Sequence, residues 1–306
     1  MSGRILLLGG TGLIGRALAR RIGPERAIAT HRENPAGDSI HFDSLTSSME
    51  ALLDRTGPLT HAVILFGESR TNVCAAEPEA SRRINVDSTC RVLDSLRKAG
   101  VTPVFFSSDG VFDGRRGGYV ETEPPAPLMQ YGIQKLAVEQ YMNENFDAYL
   151  VIRPARVYSA RPGAGTMLDN WVTMIESGEE IPCATDNTFC PIDADDLAAL
   201  VTGLMDQTAS GVFHTGGPSA VTHHSLLDIF ADALGLQIAD LPVRLARIGE
   251  FSPHEERPLD TTMSSEKVCA ATGLVPAAPA EICARYAAEL NKGRDSMPSG
   301  VALGKR

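Results

Sequence analysis

The sequence predicts an α/β fold, a Rossmann-type doubly wound parallel sheet with a smaller C-terminal lobe. Three observations predict it. Short apolar runs alternate with amphipathic segments through the first half of the 306 residues. A glycine-rich turn, Gly9-Gly10-Thr11-Gly12-Leu13-Ile14-Gly15, joins the first apolar run to the first helical pattern. After about Arg153 the alternation gives way to Gly/Pro-rich and helical stretches.

In chain order, strands are expected at residues 5–8, 27–30, 61–66, 104–107 and 149–153. Helices are expected at 12–22, 45–55, 79–99 and 129–145. This βαβ order argues for parallel strands with helices on both faces. Beyond it, "SARPGAGT" precedes a helix at about 167–177, and "PIDADDLAALVTGLM" opens a helix with acidic residues at its positive end. "GVFHTGG" reads as a strand, and "TTMSSEKVCAATGL" and "APAEICARYAAELNK" as terminal helices. The chain therefore divides into a dinucleotide-binding domain, 1–155, to which some later segments return, and a lobe over 156–292 at the sheet's carboxyl edge, where open α/β sheets bind ligands. Residues 293–306 read as a disordered tail.

Composition excludes several classes of function. With 43% hydrophobic and 22% charged residues the chain is ordinary for a globular protein. A net charge of −10 and the lack of any Lys/Arg-rich block argue against nucleic acid. No apolar run approaches the ~18 residues of a membrane span. A first strand beginning near Arg4 leaves no room for a signal peptide. Cys74, Cys90, Cys183, Cys190, Cys269 and Cys283 form no C-x-x-C pair and read as reduced thiols of a cytoplasmic protein.

The glycine turn lies between strand and helix, where its spacing acquires meaning. Gly9 permits the tight turn, Gly12 lets backbone approach a pyrophosphate, and Gly15 lets the helix pack close to the strand. The N–H groups and positive end of the helix then attract phosphate, so Thr11, Leu13 and Ile14 join the candidate cofactor site. An NAD site usually carries an acid after the second strand to bind the ribose hydroxyl. Here "IATHREN" puts Thr30 and His31 in that place, followed by Arg32. An arginine suits a 2′-phosphate, so NADP(H) is favoured over NAD(H), although Arg32 also reads as a solvated surface residue. Asp43 is placed either at the adenine amino group or at the next helix's N-cap. Gly67, after the third strand, completes the cofactor set.

"FFSSDGVFDG" ends a hydrophobic strand and "YGIQK" opens a helix. Tyr131 and Lys135, four apart, share a helix face. A tyrosine with its usual pKa of about 10 is a poor acid–base group near neutrality, and a neighbouring ammonium lowers that value. Tyr131 then exchanges a proton with a carbonyl oxygen that the Ser108 hydroxyl holds.

These motifs resemble the extended short-chain dehydrogenases/reductases, especially the dTDP-4-dehydrorhamnose reductase branch. The likeness runs from "GGTGLIG" to "RPLDTTMSSEKVCAATGL". Its most specific parts are "SSDGVFDG", similar to S-T-D-x-V-F-D-G, and "YGIQKLAVEQ". "CAAEPEASRRINVDST" looks like the family's acidic-Pro…Asn-Val segment, and "FCPIDADDLAAL" like P-x-x-x-x-D-L-A. The resemblance implies a Rossmann domain with a small substrate lobe, a nicotinamide cofactor, a nucleotide-linked sugar and a homodimer built on the helices at 79–99 and 129–145. It assigns Ser108 to the carbonyl, Tyr131 to acid–base work, and Lys135 to the nicotinamide ribose and the tyrosine. Asn170 matches an asparagine of the substrate segment. Departures fall near the substrate: Gly110 replaces an aromatic, Ser159 a glycine, and Phe189 and Ile192 the Gly and Thr of G-S-P-T. Asp109 is followed by Gly110, so dehydratase chemistry lacks its second carboxylate.

Trp171 and Phe189 are candidates to stack on a base or sugar, or are core. Arg153 and Arg156 flank the fifth strand's end, for phosphate or for an ion pair. Adjacent His223 and His224 follow the N-cap Thr222 and read as a helix start, not a metal site, and the acids of 193–196 as a helix N-terminus. The expected function is an NADPH-dependent reductase of a 4-keto-6-deoxy nucleotide sugar. The alternatives are an epimerase of the same fold and a non-catalytic NADP-binding regulatory subunit, like the beta subunit of methionine adenosyltransferase.

Overall fold

The structure, a computed structural model, describes residues 3–251 and 254–295. The first half supplies β1 (Arg4–Leu8), α1 (Leu13–Ile22), β2 (Ala27–His31), β3 (Ile40–His41), α2 (Met49–Thr56) and β4 (Leu59–Ile64). After these come α3 (Thr71–Ala76), α4 (Pro78–Arg82), a π-helical turn (Arg83–Ser88), α5 (Thr89–Ala99), β5 (Thr102–Phe106), α6 (Gln130–Asn145) and β6 (Leu150–Pro154). The second half adds β7 (Val157–Tyr158), α7 (Met167–Ser177), β8 (Ile181–Ala184), β9 (Thr188–Phe189), β10 (Ile192–Asp193), α8 (Ala194–Asp206) and β11 (Gly211–Thr215). It ends with β12 (Val221–Thr222), α9 (His223–Ala233), β13 (Val243–Ala246), α10 (Glu266–Thr272) and α11 (Pro279–Asp295).

Seven strands form one parallel sheet in the order β11-β6-β5-β4-β1-β2-β3. Its interior strand β1 is apolar from Ile5 to Leu8 because both faces are covered. Side chains alternate along it. Ile5 and Leu7 enter the layer shared with α1, α8 and α10, whereas Leu6 and Leu8 enter the layer shared with α2, α5 and α6. A third core, around Tyr158, Leu168, Trp171, Phe230 and Tyr286, joins α7, α9 and α11.

Three elements depart from the sequence reading. The helix expected at 79–99 is broken into α4, the π-turn and α5. The π-turn lets the Asn85 side chain turn inward, where it bonds the backbone of Glu68. The helix expected from residue 45 begins at Met49, because Ser48 caps it by accepting from the Ala51 N–H at 3.2 Å. At the C-terminus, α11 carries 293–295 as helix, and the rest of the expected tail, 296–306, lies outside the described residues.

Because the strands are parallel, their carboxyl ends share one edge. The turns after β1, β4, β5 and β6 all open there. Their closeness depends on Gly15, where a Cβ would stand 2.5 Å from the Gly10 carbonyl oxygen. Gly15→Ala must push α1 off the turn, and such overpacking typically costs ~1–3 kcal/mol. Thermal unfolding should show that loss, and titration should show dinucleotide affinity falling with it. An unchanged Tm would mean that α1 yields freely.

Candidate active site

The turn after β1 is built to receive an anion. Gly9 has φ +86°, and its N–H donates to the Thr30 hydroxyl at 3.0 Å. Thr30, buried at the end of β2, thus braces the loop from the position where an acid would meet a ribose. Gly12 is the N-cap of α1 and supplies no capping side chain. The first-turn N–H groups of a helix lack partners within it, and Gly9, Gly12, Leu13, Ile14 and Gly15 line a cleft of about 540 Å³. These residues fit the diphosphate of a dinucleotide, held by backbone donors and the helix dipole.

A smaller cavity beside it is lined by Thr11, Gly12, Arg32, Ser44, Phe66 and Gly67, among others. Arg32 reaches it while paired with Glu33 at 2.6 Å, both largely exposed. The other two residues expected here are engaged nearby. His31 Nδ1 meets the Ser39 hydroxyl at 2.9 Å, and the Asp43 carboxylate accepts from the Leu45 N–H at 2.9 Å, closing a turn ahead of α2.

Ser108, Tyr131 and Lys135 all line the larger cleft. Ser108 stands just beyond β5. The α6 helix approaches it closely because residue 132 is glycine: a Cβ there would lie 2.0 Å from the Gly110 carbonyl oxygen. Lys135 is buried, and its Nζ donates to the Phe106 carbonyl at 2.8 Å. The ammonium lies over the Tyr131 ring, 5.6 Å from its centroid, and over the Phe105 ring at 4.7 Å. Burial lowers the lysine's pKa to about 8, opposed by Cys74 and Glu139. Tyr131 departs from the sequence expectation. Burial, then the charge of Asp109, push its pKa up, so the phenol is held in its protonated form. That form is the one that can donate a proton.

Ser108 is held in turn. Its hydroxyl donates to Asp109 at 2.9 Å and accepts from the Gly110 N–H at 3.0 Å. The other Asp109 oxygen accepts from Thr261 at 2.9 Å. Burial raises the Asp109 pKa. Beneath the site, Glu139 accepts from Ser107 and takes Arg153 Nη2 at 2.6 Å, while Arg153 also meets His214 at 3.3 Å. All four side chains are buried. Arg153 is thus an ion-pair residue, and Arg156, three positions on, lines the cleft.

The remaining expected substrate residues lie apart from this wall. Asn170 is exposed on α7. Trp171 is buried in the lobe core, its ring 6.0 Å from Phe230. Phe189 is 2% exposed and reaches the cleft only through Arg156, whose guanidinium lies 5.5 Å from its ring. The wall is completed instead by Asn187, Arg257 and Thr261. Arg257 and Thr261 lie in the "RPLDTT" stretch of the family likeness, whereas no motif marked Asn187. Glu139 carried a signal that was passed over: it is one turn past Lys135 on the same face. His223, behind Phe189, has its pKa lowered to about 4 by burial. Asp193 caps α8, and Asp195 pairs with Arg20 and Arg161.

Two outcomes follow from this geometry. If the Lys135 ammonium supports turnover, kcat/KM should fall as pH rises through about 8, where the buried lysine loses its proton. A rate that is flat to pH 10 would remove Lys135 from that role. Tyr131→Phe should cost about 10²–10⁴-fold in turnover, the usual worth of a general acid, with dinucleotide affinity unchanged in a fluorescence titration. Turnover within tenfold of wild type would assign the proton elsewhere.

A family model described as the RmlD substrate binding domain matches residues 3–291. The chain is 27% identical over 237 residues to the "Probable low-salt glycan biosynthesis reductase Agl14" of Haloferax volcanii, covering 74% of this chain and 79% of that protein. It is 26% identical over 254 residues to methionine adenosyltransferase 2 subunit beta of Pongo abelii, covering 78% and 74%. Its fold matches the structure of a dTDP-4-dehydrorhamnose reductase from Bacillus anthracis in complex with NADP, with a TM-score of 0.82 at 21% identity, covering 94% of this chain and 100% of that one. The chain belongs to the RmlD substrate binding domain family, within the extended short-chain dehydrogenases/reductases.

Proposed function

We propose that the protein is an NADPH-dependent reductase of a 4-keto-6-deoxy nucleotide sugar. One observation carries this reading: Ser108, Tyr131 and Lys135 converge in a cleft that continues from the phosphate-binding turn. When bound, the reduced nicotinamide supplies hydride to the carbonyl carbon. Tyr131 gives the carbonyl oxygen its proton, Ser108 holds that oxygen, and Lys135 anchors the ribose beside them. The product is the corresponding secondary alcohol. Spectrophotometric screening of NADPH oxidation against 4-keto-6-deoxy sugars linked to dTDP, UDP and GDP tests the proposal, and oxidation of NADPH with none of them would overturn it. The likeness to methionine adenosyltransferase 2 subunit beta favours a second reading, a regulatory subunit. That reading expects NADP binding without turnover and co-purification with a partner enzyme.

Arg32, on the wall of the smaller cavity, supports NADP(H) over NAD(H). A charge-assisted bond contributes about 1.5–3 kcal/mol, or roughly one to two powers of ten in affinity. Arg32→Ala should weaken NADPH by that factor and leave NADH nearly unchanged, as read by titrating both. Equal losses, or a wild type that prefers NADH, would withdraw the assignment.

We further infer a homodimer. The helices α5 and α6 lie on one side of the sheet, against the same core layer. Light scattering at micromolar concentration should give twice the chain mass, and a monomer would refute it. The cytoplasm is the proposed compartment. All six cysteines are free thiols, and among the described residues no helix is long and apolar enough to cross a membrane.

A further inference from the structure

We propose that Asp109 is a positioning residue that aims the Ser108 hydroxyl. As a neutral acid it donates to Ser108 and turns the Ser108 hydrogen toward the substrate's carbonyl oxygen, and as a carboxylate it takes that hydrogen for itself. The inference rests on the reductase reading for the identity of the oxygen that Ser108 holds.

A serine hydroxyl offers one hydrogen and two lone pairs. At Ser108 the Gly110 N–H occupies one lone pair at 3.0 Å. One oxygen of the Asp109 carboxyl lies 2.9 Å from the same hydroxyl. A carboxylate there can only accept, so it consumes the single hydrogen and leaves Ser108 nothing to donate to a carbonyl. A neutral carboxyl reverses the bond. Its O–H fills the second lone pair of Ser108, and the hydrogen is released into the cleft that Ser108, Asp109 and Tyr131 line together. The proton stays on Asp109 throughout, and the one that the carbonyl oxygen acquires still comes from Tyr131.

The surroundings of Asp109 suit the neutral form. Thr261, 5% exposed, donates to the second carboxyl oxygen at 2.9 Å. The Thr261 N–H is itself bonded to the Thr188 carbonyl at 2.9 Å, so the backbone of the lobe anchors it. An acceptor toward Thr261 and a donor toward Ser108 is the pattern of a neutral carboxyl, and equally of an asparagine amide. Burial pushes the Asp109 pKa up, against the bonds from Thr261 and Ser108 and the charge of Arg156. Facing Asp109 are the titratable groups Tyr131 on α6, Arg156 beyond β6 and Cys190 after β9, each of which feels its charge. Tyr131 gains from the same state. Burial and the Asp109 charge both hold its pKa up, and a neutral Asp109 removes the second push, leaving a readier proton donor.

Two measurements on the whole chain test this. The first needs no turnover. An infrared difference spectrum between wild type and Asp109→Asn isolates the carboxyl stretch of Asp109, and its loss with rising pH gives the ionisation midpoint. That midpoint should lie above the usual value of about 3.9 for an aspartate. Ser108→Ala and Thr261→Val, each compared with its own Asp109→Asn double variant, should move it further up, because the bonds they remove favour the charged form more strongly. The second is the pH profile of kcat for NADPH oxidation with a keto sugar that serves as substrate. Wild-type kcat should decline across the infrared midpoint. Asp109→Asn, whose amide donates at every pH, should lose that decline and keep the one near pH 8 that belongs to Lys135. Asp109→Ala should turn over about 2–10-fold more slowly than Asp109→Asn, the worth of one hydrogen bond. Titration with NADPH certifies the fold of each variant. The proposal is overturned by a midpoint at the usual value, or by one that neither Ser108→Ala nor Thr261→Val moves. It is equally overturned by an Asp109→Asn profile of the same shape as wild type, or by an Asp109→Asn enzyme as slow as Asp109→Ala. If no keto sugar oxidises NADPH, the reductase reading fails by itself, and the infrared midpoints alone uphold or overturn the coupling of Asp109 to Ser108.

Discussion

The buried ion pair between Glu139 and Arg153 is the joint on which the geometry of the candidate site depends. One carboxylate on α6 grips Arg153 on β6 and Ser107 beside Ser108, and through Arg153 it reaches His214 on β11. The helix carrying Tyr131 and Lys135 is thereby fixed to the strand end carrying Ser108. Such a pair is weak evidence for net stability, since desolvating both ions offsets much of their attraction, but breaking one side is strongly destabilising. Its worth here is one of position. His214 fits the same logic: burial and the adjacent Arg153 hold its pKa down to about 3, so it stays neutral and adds no second positive charge.

Charge is distributed unevenly over the molecule. The chain carries a net −10, yet guanidinium groups of Arg156 and Arg257 face the inner cleft and Arg32 the neighbouring cavity. At physiological ionic strength exposed charges are screened beyond roughly 8 Å. The field inside a concave cleft is therefore set by its own walls, where Lys135, Arg156 and Arg257 stand with the carboxyl groups of Glu68 and Asp109, and not by the net charge of the chain.

Much of this was legible in the sequence because the signals were local. The periodicity of "RILLL" followed by glycines, and the four-residue spacing of Tyr131 and Lys135, are set by chain geometry over a few residues. The strand at 211–215 was recognisable, but its place beside β6 was not, since pairing across 60 residues leaves no mark in either segment. Trp171 illustrates the other limit. An aromatic that stacks on a base and one that fills a core have the same sequence signature, and only its burial against Phe230 separates them. The effect of Lys135 on Tyr131 was equally hidden. The spacing puts the two on one face, but the ammonium is drawn to the Phe106 carbonyl and lies over the ring, and burial dominates the titration of both.

The π-turn at 83–88 has a consequence for how this segment can change length. A π-turn holds one residue more than the α-helical turn it interrupts, and each residue of an α-helix advances the face by about 100°. The apolar stripe of α5, Val92, Leu93 and Leu96, is therefore in phase with the sheet only because the extra residue is present upstream. Removing one residue would relax the turn into a continuous helix, yet it would rotate α4 against α5 and swing Asn85 off the Glu68 backbone. The segment is thus intolerant of single insertions and deletions, even at exposed positions such as Arg82 and Arg83, where substitution of the side chain itself is cheap.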